Sequence, residues 1–444
     1  MRNKRILLST LLVAGVLFGA AILSSRNAEA EVTSLTPNRS VVWKDFLGVN
    51  AQFHFFPEAA YRKQMDRLHE LDLQWVRIAM HWALLEAERG RYYAPFDAAT
   101  KVMAEQNLKA VGFLAGSAPF ATSAPASSPY QDSFPPKDNR LYSDSLTRFI
   151  ERYPQFEAWQ IWNEPNLPPF WRPREDPDAY AALLLDAVVT VRKRFPDKPL
   201  VTAGMAYFSQ MPTRNMDLML KSLLEKGLAS YGLIVAYHPY TEYPESNEVG
   251  KNDFLETARF VNEGLRGQGV QQIWATEWGW SSYPGPKEMQ AIIGVSGQAD
   301  YTLRRLALMS ALDYDRIFLF NLSDLDARAS VRDQSYGLLD LNGEPKPVFH
   351  ALKNFLKVTG PRLEPAEPPV FAKTPKDLYS VAWKREDGRH LLMVWSATAG
   401  KLSLNGIRQA ELYDPLRGTK QALKAEGNTL VVGLKPSLQL LVWD

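Results

Sequence analysis

At 444 residues the chain is longer than one typical domain, and its 46% hydrophobic content is enough for a large core with a smaller partner, so two domains are expected. Lys and Arg total 51 against 49 Asp and Glu, which excludes the strongly basic face that nucleic acid selects and makes a neutral partner the natural one. Cysteine is absent, and disulfides, thiolate metal sites, cysteine nucleophiles and thioether lipid anchors are excluded with it.

The first element in chain order is an export signal over residues 1–30. Arg2, Lys4 and Arg5 precede the apolar run ILLSTLLVAGVLFGAAIL, Ile6 to Leu23, and the small residues Ala28 and Ala30 offer a cleavage site. The apolar run is longer than a signal peptide needs and just long enough to span a bilayer, so a cleaved signal and a retained inner-membrane anchor over residues 6–23 both fit. Either way, the chain from about Glu31 onward is expected in the periplasm.

Eight short β-rich runs then alternate with helical patterns: FLGVNAQF from Phe46, LQWVRIAMHW from Leu73, LKAVGFLAGS from Leu108, FEAWQIWNE from Phe156, PLVTAGMAYF from Pro199, LIVAYHPY from Leu233, QQIWATEWGW from Gln271 and RIFLFNLSD from Arg316. Between the first two, Tyr61, Met65 and Leu68 recur at helical spacing. A second helix is framed by Pro177 and Pro196. The pattern predicts an α/β fold, a (β/α)8 TIM barrel over residues 31–360, against the alternative of an open doubly wound sheet. No glycine-rich phosphate loop follows the first strand, which disfavours that alternative.

Proline crowds residues 361–377 and reads as an extended linker. Beyond it, over 378–444, LYSVAWKR, HLLMVWSA, KLSLNG, AELYDPLRG, TLVVGL and LQLLVWD alternate as short strands between turns, the pattern of an antiparallel β-sandwich. Trp383, Trp395 and Trp443 are expected in its core rather than on a sugar-binding surface.

In a parallel barrel all strands open their carboxyl ends onto one face, where chemistry collects. Glu164 falls there on the fourth strand and Glu277 on the seventh, each behind an apolar run. Two acids converging on one pocket are what glycosidic bond cleavage needs: one protonates the departing oxygen while the other attacks the anomeric carbon or activates water. Pro165 is expected to press Glu164 toward extended backbone and hold it at the strand end. Arg77 lies inside the apolar second strand and demands a partner, either the site or another acid.

The motifs WNEP and ATEWGW on the fourth and seventh strands resemble the retaining glycoside hydrolase clan. VVWKDFLGVNAQF, WNEPNLPPFWRP, AYHPYTEYPE and EWGWSSYPGPKE extend the resemblance, as do SALDYDRIFLF and ASVRDQSYGLLDLNGEPKP, to the glycosidases encoded with Psl-type exopolysaccharide machinery, which are similar to glycoside hydrolase family 39. The resemblance implies that Glu164 is the acid/base and Glu277 the nucleophile of a double displacement, that Asn163 bonds the sugar hydroxyl beside the reacting carbon, and that Arg77 keeps Glu277 ionised. It further implies an endo-acting enzyme on a neutral, mannose-containing exopolysaccharide, in contact with export machinery.

Candidate substrate contacts come from strand-end positions: His81 and Trp82 after the second strand, Trp171 after the fourth, His238 and Tyr240 after the sixth, and Trp278 and Trp280 after the seventh. The eighth strand reads FLFNLSD and lacks the tryptophan many clan members place beneath the sugar. A metal-dependent hydrolase would want clustered histidines, and the six present form no H-x-H or H-E-x-x-H arrangement, so neither metal nor cofactor is expected. A non-catalytic polysaccharide-binding or scaffolding protein is the rival of another class, although a pure binder has no use for two converging acids.

Overall fold

The computed structural model describes residues 32–206, 219–248, 253–287 and 290–444. The segment expected from sequence to be an export signal or anchor, residues 1–30 with the apolar run 6–23, lies outside them. Among the described residues no helix is long and apolar enough to cross a membrane.

All eight β-rich runs form parallel strands: Leu47–Ala51, Trp75–His81, Lys109–Ala115, Phe156–Ile161, Leu200–Val201 with Met205–Ala206, Val235–His238, Ile273–Trp278 and Arg316–Leu319. Helices Glu58–Glu70, Ala94–Glu105, Asn139–Arg152, Pro177–Arg192, Met219–Glu225, Asp253–Gly267, Gly294–Ser310 and Pro347–Thr359 succeed them in turn. The fifth strand is broken in two, and its halves close the sheet. Leu200–Val201 pairs with the fourth strand, whereas Met205–Ala206 pairs with the sixth. Bridges from Val201 to Ile234 and from Asn163 to Gly204 complete the ring.

The helices form because the sequence supplies both starts and apolar stripes. Asp176 caps the helix at Pro177 by accepting a bond from the Ala179 amide at 2.9 Å, and that helix buries Tyr180, Leu183, Leu184, Ala187 and Val188. Tyr61, Met65 and Leu68 are buried on the first, as their spacing requires.

Inside the ring, alternate residues of each strand point inward and stack in layers. Near the amino ends of the strands the filling is apolar: Trp75, Val111, Ala158, Val201, Ile234, Ala236, Trp274 and Phe318. Two residues further along, the inward positions become polar, with Arg77, Gln160, His238 and Thr276 all fully buried.

The proline-dense stretch departs from the extended linker expected. Arg362–Pro365 and Phe371–Lys373 within it are strands, and the first pairs antiparallel with Leu378–Arg385. Residues assigned by sequence to the barrel side join the same sheet: Val32–Leu35 pairs in parallel with Leu378–Val381, and Val41–Val42 pairs with Arg362–Leu363. The β-sandwich therefore combines an eight-stranded sheet with a three-stranded one, formed by Phe371–Lys373, Gly400–Asn405 and Thr429–Leu434. Trp383 and Trp395 are buried, as expected, but in the core continuous with the barrel rather than in the separate core between the two sheets. Trp443 is half-buried and stacks on His390.

Candidate active site

The fourth strand stops at Ile161, and the chain beyond it leaves regular strand geometry. Trp162 has φ +74° and Glu164 has φ +41°, both in the left-handed region that side chains disfavour. This corrects the expectation that Pro165 would hold Glu164 extended. Each such residue costs about 1–3 kcal/mol, so the surroundings must over-determine the turn. They do so through two tyrosines from the flanking helices. Tyr142 Oη donates to the Leu114 carbonyl at 2.6 Å and accepts from the Trp162 amide at 3.1 Å. Tyr180 Oη donates to the Ile161 carbonyl at 2.9 Å and accepts from the Ala203 amide at 2.7 Å. The Glu164 amide bonds the Gly204 carbonyl at 3.0 Å. Because the chain turns at Trp162, strand alternation is lost, and Asn163 and Glu164 both line the same cleft.

Glu277 ends the seventh strand across that cleft. One oxygen of each carboxylate and a nitrogen of His238 lie within 4.8 Å of one another. Arg77 is fully buried beneath, with four side chains accepting from it: Gln160 Oε1 at 2.9 Å from Nε, Asn50 Oδ1 at 2.7 Å and Glu277 Oε1 at 2.6 Å from Nη1, and Asn163 Oδ1 at 2.7 Å from Nη2. Its guanidinium rests on the Phe113 ring, 3.8 Å from the centroid. His238 Nδ1 lies 2.7 Å from Glu164 Oε1 and its Nε2 lies 3.0 Å from Thr276 Oγ1. Tyr240 Oη donates to Glu277 Oε2 at 3.3 Å.

These contacts separate the two acids electrostatically. Burial raises the proton affinity of Glu164; His238 opposes this, the negative charge of Glu277 adds to it, and the net direction is upward from 4.5. Burial acts the same way on Glu277, yet His238, Arg77 and the Tyr240 hydroxyl together outweigh it and hold that carboxyl below 4.5. The surroundings thus push the two proton affinities apart, Glu164 upward and Glu277 downward. Glu164, His238 and Glu277 also form the one group among the described residues with metal-ligand spacing. The guanidinium already seated 2.6 Å from Glu277 supplies the positive charge there, so the donor set fits an ion pair better than a dication.

The cleft has a volume of about 860 Å³. Gln52, Phe55 and Phe56 line it after the first strand, His81 after the second, Asp132 after the third, Leu167 and Phe170 after the fourth, and Tyr240, Thr241 and Glu242 after the sixth. Phe320, Arg328, Arg332, Asp333 and Tyr336 complete the wall after the eighth.

Of the predicted contacts, Asn163, His81 and Tyr240 face the cleft, but four tryptophans do not. Trp82 is buried between Phe120 and Tyr142 with its Nε1 donating to Glu86 at 2.9 Å. Trp171 is buried against Trp162 and Tyr180. Trp278 has no exposed surface, and Trp280 packs on Tyr301 with its Nε1 donating to the Glu242 carbonyl at 2.9 Å. All four are buried away from the cleft lining and pack as scaffold. His238 is likewise fully buried and reaches the carboxylates rather than the open cleft.

Phe320 stands where the eighth strand lacks a tryptophan, packed edge-on against Tyr336 at 5.3 Å. Asn50, Gln160 and Thr276 were missed, although each is a polar residue at an inward position of an apolar strand, the signal that marked Arg77. Gly204 was missed as well. A Cβ there would collide with His238 Nε2 and lie 2.6 Å from Thr276 Oγ1, so only glycine lets the fifth strand pass the histidine.

No protein-family profile and no curated protein sequence matches the chain. Solved structures do. A family 39 glycoside hydrolase from the gut symbiont Bacteroides cellulosilyticus WH2 matches with TM-score 0.68 at 18% identity, over 91% of this chain and 82% of that one. A monomeric beta-xylosidase from Caulobacter crescentus matches with TM-score 0.64 at 15% identity, over 94% and 99%. A family 30 endoxylanase from Clostridium papyrosolvens matches with TM-score 0.62 at 11% identity, over 93% and 100%. The fold is shared with glycoside hydrolases of families 39 and 30. The matches cover over nine-tenths of this chain, so the likeness takes in the β-sandwich as well as the barrel.

Proposed function

We propose that this chain is a retaining endo-glycosidase that cleaves a neutral, mannose-containing exopolysaccharide by double displacement. The carrying observation is the approach of Glu164 and Glu277, with oxygens within 4.8 Å. Retaining enzymes hold their carboxyl groups roughly 5–5.5 Å apart, whereas inverting ones need about 6.5–9.5 Å to admit a water.

Glu164 donates its proton to the departing glycosidic oxygen as Glu277 attacks the anomeric carbon, breaking that C–O bond and forming a glycosyl ester. Esterification removes the charge of Glu277, so Glu164, now ionised, is released from the repulsion that raised its proton affinity. It takes a proton from water as the water oxygen displaces Glu277, which restores both groups. Arg77, His238 and Tyr240 hold the nucleophile ionised, and Asn163, fixed by Arg77, offers its amide to the neighbouring sugar hydroxyl.

Support for a neutral polymer comes from the wall charges, since Arg328 and Arg332 are engaged by Asp326 and Asp333 and Glu242 by Lys287. The cleft volume lies in the upper part of the usual range for small-ligand sites, about 300–1,000 Å³, and admits more than one sugar ring, as internal cleavage requires. The sugar, the exopolysaccharide role, the periplasmic location with inner-membrane attachment and the contact with export machinery rest on the sequence resemblance.

Defined mannose-containing oligosaccharides digested and analysed by mass spectrometry test the reading. Ladders of short fragments are expected, with a loss of at least ~10⁴-fold in the Glu277→Gln protein. Single monosaccharides would remove the endo mode, and normal binding without new reducing ends would replace the enzyme by a polysaccharide scaffold.

A further inference from the structure

The cleft wall after the sixth strand, residues 239–248, is not held by the barrel alone. Tyr240, Thr241 and Glu242 line the cleft from this loop. At its far end Glu245 turns away from the cleft and is buried. Its Oε1 accepts from Arg304 Nη1 at 2.8 Å and from Trp395 Nε1 at 2.9 Å. Arg304 belongs to the helix Gly294–Ser310, but Trp395 belongs to the sandwich strand His390–Ser396. The indole is fully buried and stacked at 5.3 Å, nearly parallel, on Tyr379 of the adjacent strand, so its N–H direction is fixed.

Next to Arg304, the buried Arg305 grips the same loop from inside, donating to the Pro239 and Pro244 carbonyls at 2.8 Å each and to Thr241 Oγ1. The loop is thus clamped at its start and middle by the barrel and at its end by barrel and sandwich together, through Arg304 and Trp395. Tyr240, on this loop, is a donor to Glu277. A charge-assisted bond to a buried carboxylate is among the stronger single contacts a domain can make, and leaving the acceptor short of a donor loosens what it anchors.

We propose that Trp395 is a positioning residue for the cleft: the sandwich domain, through the Trp395–Glu245 bond, sets the loop that carries Tyr240 and the adjoining wall. The sandwich then acts on the site in cis rather than as an independent carbohydrate-binding module. The effect on catalysis rests on the glycosidase reading, whereas the effect on the loop does not.

The test uses the full chain and three variants. Trp395→Phe keeps the ring stack and removes the N–H. Glu245→Ala removes the acceptor without touching the sandwich core, and serves if the first variant fails to fold; Glu245→Gln keeps an acceptor and should restore most of the parent behaviour. Hydrogen exchange is read first. In Trp395→Phe, the mutually bonded amides of Tyr243 and Ser246 should exchange about tenfold faster, with the barrel strands unchanged. Hydrolysis of the mannose-containing oligosaccharides is read second: KM should rise about tenfold and the acidic limb of the pH profile should move upward as Tyr240 loosens its hold on Glu277. Unchanged loop exchange, or acceleration confined to the sandwich, overturns the proposal. If the parent releases no reducing ends, the functional reading fails, while the exchange result still decides the clamp.

Discussion

The two ends of the barrel interior are built from the same strands and do opposite things. Each end holds an arginine. At the amino end Arg316 lies 3.5 Å over Trp75 and 4.8 Å from Trp274, with Nε donating to the Asp45 carbonyl at 2.8 Å. Burial lowers its pKa to about 10, and among the described residues no carboxylate is hydrogen-bonded to it. At the carboxyl end Arg77 is surrounded by acceptors and ion-paired to Glu277. One guanidinium closes an apolar plug by stacking; the other gathers the polar side chains around a cleft carboxylate. Burial alone does not make an arginine functional, and the identity of its acceptors does.

Replacing each arginine by methionine exposes this contrast most strongly. Arg77→Met leaves Glu277 without its counter-ion and should cost about 3–5 kcal/mol of stability in urea unfolding, together with about 10²–10³ in kcat. Arg316→Met should cost about 1–2 kcal/mol and leave kcat within about threefold. Equal losses of activity in the two variants would break the comparison.

A smaller effect is expected at Gly204, where the polar layer tolerates no side chain. Gly204→Ala pushes His238 off Thr276 and should cost about 1–3 kcal/mol, with a loss of activity exceeding what the stability loss explains. Full activity in a stable Gly204→Ala protein would show that His238 does not need its present seat.

The pH dependence sharpens the contrast at the polar end. Double displacement as proposed requires Glu277 ionised, and its pKa is held below 4.5, so the acidic limb of kcat/KM should lie lower than for an ordinary glutamate; it requires Glu164 protonated, and its pKa is raised, so activity should fall as pH climbs through that raised value. Tyr240→Phe removes a donor to Glu277 and should move the acidic limb upward while leaving the alkaline limb in place. For stability each group acts in the same direction as for activity. The depressed Glu277 contributes above its unfolded value and is lost as pH falls through the folded one, whereas the raised Glu164 contributes only at low pH and is lost as pH rises.

The smallest effects belong to the tryptophans of the helix layer. Trp171→Phe should cost under about 1.5 kcal/mol and leave kcat/KM within about threefold, since the ring touches Trp162 and Tyr180 and no cleft surface. A large rise in KM would return Trp171 to the sugar-binding wall.

Much of this molecule was legible in the sequence because strand alternation is local. The eight runs, the two glutamates at strand ends and the buried Arg77 all emerge from apolar runs and the residues that interrupt them. What escaped depends on departures from alternation or on distant partners. The positive φ at Trp162 turns Asn163 to the same side as Glu164 and sends the aromatic side chain into the helix layer, and no residue type there announces it. The wall built by Phe320, Arg328, Arg332 and Tyr336 comes from an irregular loop without periodicity. The strand Val32–Leu35 finds its partner more than three hundred residues away at Leu378–Val381, beyond the reach of any window.

That distant pairing has a consequence for dissection of the molecule. The strand Leu378–Arg385 pairs with His390–Ser396 on one side and with Arg362–Pro365 and Val32–Leu35 on the other, so severing the chain at its proline-dense stretch would strip that second side and turn an interior strand into an edge. The fragment left behind would present a bare, apolar ladder of amide and carbonyl groups and should self-associate instead of folding as a monomer. The beginning of the described chain and its carboxyl-terminal sandwich strands thus make one inseparable weave, and any interchangeable module would have to carry both ends of it.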